Sequence, residues 1–160
     1  MTKEITVDLI TDRTDADVKA VAAALARIES GSGTAADIAL LSDNKGSYNY
    51  TDLNRVGNAV QQVAAELAEY GYIVSVTCKT DWTEDDLPQK ADIDAYLADI
   101  EAIRSAIPVG KNTPVTPEMP LNYAKANDIE QILLDVYYIF QKVKKSWYYA
   151  GEIYSGERSL

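Results

Sequence analysis

The sequence predicts a mainly α fold, a helical bundle of about four principal helices with a small antiparallel β-sheet as a minor element. Apolar residues recur at a 3-then-4 spacing in four separate segments, the signature of helices with one buried seam. Hydroxyl residues stand three positions before an acidic or amide partner at four places, as at helix starts. Two short segments alternate with the period of a strand.

In chain order, Ile5, Val7 and Leu9 point opposite to Thr6, Asp8 and Ile10, which predicts a first strand. Thr14 with Asp17 opens a helix whose seam is Val18, Val21, Leu25 and Ile28. Thr34 with Asp37 starts a turn or two of helix carrying Ile38 and Leu41, between Gly- and Ser-bearing loops. Thr51 with Asn54 opens the second long helix, seamed by Leu53, Val56, Val60, Val63, Leu67 and Tyr70 and stopped by Gly71. Tyr72, Val74, Val76 and Cys78, alternating with Ile73, Ser75 and Thr77, predict a second strand. Thr83 with Asp86 marks the next helix start, the seam being Ile93, Tyr96, Ile100, Ile103 and Ile107, and Pro108 ends it. Prolines 108, 114, 117 and 120 then forbid regular helix and favour an extended connection within the domain. The last seam runs Ala126, Ile129, Leu133, Val136, Phe140, Val143 and Trp147. Two strands alone make a marginal sheet, so Tyr148 to Tyr154 is the candidate third strand.

Composition narrows the function. At 160 residues the chain is read as one domain, 1–160, with 148–160 as a candidate interaction arm. A net charge of −10 repels phosphate backbones, which argues against a nucleic-acid partner. Lys142, Lys144 and Lys145 form the densest basic group, and their place near the expected end of a helix is a capping pattern. The single cysteine, Cys78, rules out an intrachain disulfide and a Cys-based zinc site, and reads as a small apolar filler. With no histidine, Ser-His-Asp and Cys-His catalysis and His-ligated metals are excluded. No signal-peptide pattern and no long apolar run are present, so neither export nor a membrane partner is expected.

Local motifs yield no catalytic constellation. The acidic group Asp81, Glu84, Asp85 and Asp86 fails as a calcium loop, because Asp86 stands where the turn glycine belongs, and it reads as a solvated helix start. Gly31-Ser-Gly33 lacks the Gly-Lys-Ser/Thr ending of a phosphate loop. No cofactor, metal or enzymatic activity is expected. Trp82 is expected to cover one end of the core. Seven of the fourteen aromatic residues fall between Tyr137 and Tyr154, more than one helix seam can bury, so some meet another surface, of this chain or of a partner. Within them Tyr149-Ala-Gly-Glu152 is answered by Tyr154-Ser-Gly-Glu157.

The strings LITDRTDADV (9–18), YNYTDLNRVGNAV (48–60), SVTCKTDWTEDDLPQKADIDAYLADIEAIR (75–104), NDIEQILLDV (127–136) and WYYAGEIYSGE (147–157) together resemble a group of phage and prophage tail-associated structural proteins of Gram-positive, largely gut-dwelling bacteria. The resemblance spans nearly the whole chain, with residues 20–45 carrying little of it; the YAGE here stands in place of a YSGE. It implies a non-enzymatic virion component near the tail tip, baseplate or fibre, assembled in the bacterial cytoplasm, whose partners are other phage structural proteins. It supplies no active-site residues. The expected interface is Tyr148, Tyr149, Glu152, Tyr154 and Glu157, with Trp147 anchoring the segment to the bundle. Self-association along the last helix, as a homo-oligomer, is open to its three-heptad seam. Two other classes compete: a small-ligand or carboxylate-based enzyme domain, and an effector that binds a host protein.

Overall fold

Five α-helices form, in the order α1 (Asp15–Glu29), α2 (Ala35–Leu41), α3 (Tyr50–Glu69), α4 (Lys90–Ser105) and α5 (Tyr123–Glu157). The structure, a computed structural model, describes residues 8–42 and 45–157, with side chains described as far as Ser146. Two of the expected starts hold in full: Thr14 and Thr34 each accept from the backbone of Asp17 and Asp37, whose carboxylates bond back. For α3 the cap lies two residues earlier than expected, on Asn49 with Asp52 as the reciprocal carboxylate. Thr83 and Asp86 do bond, at 2.7 Å from Thr83 N to Asp86 Oδ2, but they close a turn. Pro88 keeps the residue before it out of helical geometry, and α4 starts only at Lys90. Gly31 and Gly71, at φ 78° and 89°, end α1 and α3 as left-handed caps. After α3 the Tyr72 amide reaches back to the Leu67 carbonyl at 3.1 Å.

The core belongs to α3, α4 and α5, each of which packs on the other two. Val56, Val60 and Leu67 of α3, Ile100 and Ile103 of α4, and Ile129, Leu133, Val136 and Phe140 of α5 are fully or almost fully buried, as their seams require. The first seam behaves differently. α1 packs chiefly on α2, buries only Ala24, and leaves Val18 and Leu25 36% and 44% exposed. The bundle is therefore a three-helix core with an α1–α2 hairpin at its flank.

Contacts set the helix directions. Asp52 and Glu130, near the starts of α3 and α5, share two arginines, while Glu66 late in α3 meets Gln141 late in the same stretch of α5. The two helices run parallel, and the chain must return outside them. It does so from Tyr72 beside Phe140 to Trp82, whose backbone is bracketed by Asn54 at 2.7 and 2.8 Å. Ten extended residues reach up to about 33 Å, more than the about 24 Å that α3 climbs between Asn54 and Tyr70.

That return path corrects the expected sheet. Tyr72, Val74, Val76 and Cys78 do face the core while Ile73 and Ser75 face out, so the alternation is real. Its cause is one-sided burial against helices. Among the described residues no β-strand forms, and side chains take up backbone groups of the segment: Asp99 accepts from Thr77 N at 2.8 Å and Gln61 donates to Cys78 O at 3.2 Å. Gly57 of α3 lets the path come this close, since a Cβ there would stand 3.0 Å from the Lys79 carbonyl oxygen. Of the first expected strand, Ile5 and Val7 lie outside the described residues, and residues 8–10 carry no strand. The expected third strand, Tyr148 to Tyr154, is helix: α5 runs unbroken through it. Lys142, Lys144 and Lys145 accordingly sit within α5 and cap nothing.

Candidate functional site

A buried charged junction gathers where α1, α3 and α5 begin. Asp52 occupies the third position of α3, and Arg55 follows one turn later. Glu130 projects from α5, and Arg13 arrives on the segment before α1. Arg13 Nη2 donates to Glu130 Oε1 at 2.7 Å and to Asp52 Oδ1 at 3.2 Å, and its Nη1 donates to the Ile10 carbonyl at 2.8 Å. Arg55 donates to Asp52 at 2.6 Å, to both oxygens of Glu130, and to the Asp8 carbonyl at 2.7 Å. Asp52 and Glu130 have no exposed surface. Burial pushes the Asp52 carboxyl above its ordinary range, against the opposing pull of Arg55, the Asn49 amide and Arg13.

Two cations against two anions leave the junction neutral, and each carboxylate is held by two guanidinium groups. This chemistry holds chain segments together. Residues 8–13 are stitched to α3 and α5 through backbone as well as side chains, Ile10 N donating to Glu130 and Asn127 exchanging bonds with both Arg13 backbone groups. Beside it the Tyr48 ring lies 5.4 Å under the Arg13 guanidinium and its hydroxyl meets that of Tyr96 at 2.7 Å. Burial pushes both phenols up.

A second polar group lies behind the return path. Asp99 of α4 accepts from Thr77 N and from Cys78 Sγ at 2.9 Å, next to a small cavity of about 80 Å³ lined by Leu53, Trp82, Ile93 and Tyr96. Burial first, and then the Asp99 carboxylate, pushes the Cys78 thiol far up, which suits an inert packed thiol and opposes a nucleophile. Cys78 is thus the filler expected of it, with a hydrogen bond added. Trp82 covers the core edge as expected, and Lys79 Nζ stands 4.3 Å over its ring. No metal-ligating cluster of three or more acidic or cysteine side chains exists among the described residues, and no helix among them is long and apolar enough to cross a membrane.

Among the open surfaces of the described residues, two combine apolar and charged groups. At the end of the bundle where α3 and α4 begin, an open groove of about 590 Å³ runs between α2 and the 83–88 turn, lined by Ile38, Leu41, Tyr50, Leu53 and Pro88 with Glu84 and Asp86 on its rim. Ile38 is 61% exposed and the neighbouring Leu87 82%. The other is α5. Tyr137 turns inward and is buried, whereas Tyr138 is 57% exposed, which resolves the pair that one seam cannot bury together. Trp147, Tyr148, Tyr149, Glu152, Tyr154 and Glu157 lie on the helical backbone of α5, and their side chains are outside the described residues.

No protein-family model, characterised protein or solved structure matches this chain.

Sequence reasoning missed the junction. Apart from Asp52 and Arg55, three residues apart, its pairings join residues 39, 75 and 117 positions from each other, too far for any local pattern. One signal was present. Arg13 stands in LITDRTDADV, Asp52 with Arg55 in YNYTDLNRVGNAV, and Glu130 in NDIEQILLDV. Opposite charges inside otherwise apolar or capping phrases were the readable trace.

Proposed function

We propose that this chain is a non-enzymatic structural component of a phage tail or tail-derived particle, acting through protein–protein contacts with other particle proteins. The observation that carries this reading is the reach of α5. Its backbone stays helical for 17 residues after Phe140, the last residue of the described core, a rise of about 25 Å. α3, which runs parallel to it, has already ended at Glu69. The extension contains Trp147, Tyr148, Tyr149 and Tyr154, residue types that dominate interface energetics. A helix of this length on a rigid, ion-locked base suits an assembly protein.

The decisive experiment is mass spectrometry of purified particles from a strain that encodes the chain. Presence at structural stoichiometry is expected, and absence sinks the reading. Deleting residues 148–160 is expected to abolish co-assembly while leaving the melting temperature of the isolated protein unchanged. If the deletion instead unfolds the chain, the segment serves the core and the docking role is lost.

A further inference from the structure

We propose that the groove between α2 and the 83–88 turn takes α5 of a second copy of this chain, so that molecules associate head to tail. Each side of the contact is present on the described surface. The groove floor is apolar through Ile38, Leu41 and Tyr50, and its rim carries acidic charge. On the rim Asp86 is paired with Lys79, but Glu84 and its neighbour Asp85 are exposed and carry no ion pair among the described residues. α5 presents the complement. Tyr138, Lys142 and Lys145 stand at i, i+4 and i+7, hence on one face, and all three are exposed. Neither lysine has an ion pair among the described residues, whereas Lys144, on the adjoining face, is committed to Glu66.

In a chain of net charge −10 this lysine pair is a surface suited to an acidic rim, and the exposed tyrosine between helix and groove supplies the apolar contact. The groove lies where α3 and α4 begin, and the strip lies in the middle of α5, toward the opposite end of the parallel bundle. A single groove-to-strip contact leaves one groove and one strip unfilled, so repeated addition gives an open chain or a ring. Such self-association is independent of membership of a particle.

The test is sedimentation velocity of the full chain across a concentration series at about 50 mM and 500 mM salt, since exposed charge pairs weaken as the Debye length shrinks. The wild type is expected to grow beyond its 17.6 kDa monomer with concentration, and less so at high salt. K142E/K145E and E84K/D85K are each expected to weaken association tenfold or more, with melting temperatures unchanged because all four sites are exposed. An equimolar mixture of the two variants restores growth, since every groove then faces an oppositely charged strip. Tyr138→Ala and Ile38→Ala weaken association without altering charge. A wild type that stays monomeric at low salt, charge variants that associate as well as the wild type, or a mixture that fails to recover would each overturn the proposal.

Discussion

Arg13→Met removes one guanidinium from a site that holds two carboxylates without exposed surface, Asp52 and Glu130. Methionine keeps most of the apolar stem volume, so packing is little disturbed and charge is the main change. The junction passes from neutral to a net charge of −1, and the hydrogen bonds to Asp52, Glu130 and the Ile10 carbonyl are lost. Removing one member of a buried ion pair costs about 3–5 kcal/mol. Arg55 still bridges both carboxylates, at 2.6 and 2.9 Å, which places the expected loss near the lower end, about 3 kcal/mol. With a urea slope of about 2 kcal/mol per molar, the unfolding midpoint followed by circular dichroism falls by roughly 1.5 M. A carboxylate left in excess is raised in the folded state, so the folded form binds more protons than the unfolded one. Stability lost at pH 7 is then partly regained as the pH falls toward the unfolded value near 4. Glu130→Gln in the Arg13→Met background restores neutrality around the remaining Asp52–Arg55 pair. That double variant is expected to lose at least about 1 kcal/mol less than the sum of the singles. Single losses that simply add, or an Arg13→Met variant within about 0.5 kcal/mol of wild type, would refute the view that charge balance holds this junction.

Other regions make narrower predictions. A Cβ on Gly46 would sit 2.2 Å from Val21 Cγ2 and 2.5 Å from the Asp17 carbonyl oxygen, so Gly46→Ala displaces α1 at a cost of about 1–3 kcal/mol. Hydrogen exchange is expected to quicken in α1 and α2 while α3 to α5 keep their protection. Thr34→Ala removes the cap of α2 and costs about 1 kcal/mol, read as faster exchange at Asp37 and Ile38. The Arg27 guanidinium and the Thr34 backbone and hydroxyl hold the Asp37 carboxyl well below the usual carboxylate range. Its contribution is therefore present above the unfolded value of about 3.9 and lost as the pH drops below it; Asp37→Asn is expected to flatten that acid limb. Asp99→Ala leaves the Thr77 amide without its carboxylate acceptor, costing about 1–3 kcal/mol. It also removes the charge that opposes the Cys78 thiolate, so alkylation of Cys78 by iodoacetamide is expected to speed up. An unchanged alkylation rate would show that burial alone governs the thiol.

What was readable in the sequence is what neighbours along the chain decide. The seams of the long helices, the reciprocal caps at Thr14 and Thr34 and the glycine stop at Gly71 all rest on residues within four positions of each other. The inward alternation of Tyr72, Val74, Val76 and Cys78 was legible for the same reason. Two local readings failed where another local feature outweighed them, Asn49 taking the cap ahead of Thr51 and Pro88 halting a helix at Thr83. Asn54, expected to serve that cap, instead brackets Trp82.

Only the tertiary structure decided which faces are covered and by what. The seam of α1 follows the same spacing as those of α3 to α5, yet Val18 and Leu25 remain partly in water because that helix packs chiefly on the short α2. The alternating segment found helices beneath it and no strand beside it, so burial imposed the period without a ladder. The aromatic phrase from Trp147 to Glu157 took helical backbone as a continuation of α5. Periodicity states which side of a segment is apolar, through rules that span a few residues. Whether that side meets a helix, a strand or solvent, and whether four charges drawn from three segments up to 117 residues apart neutralise one another in the interior, depends on contacts that exist only once the chain has closed on itself.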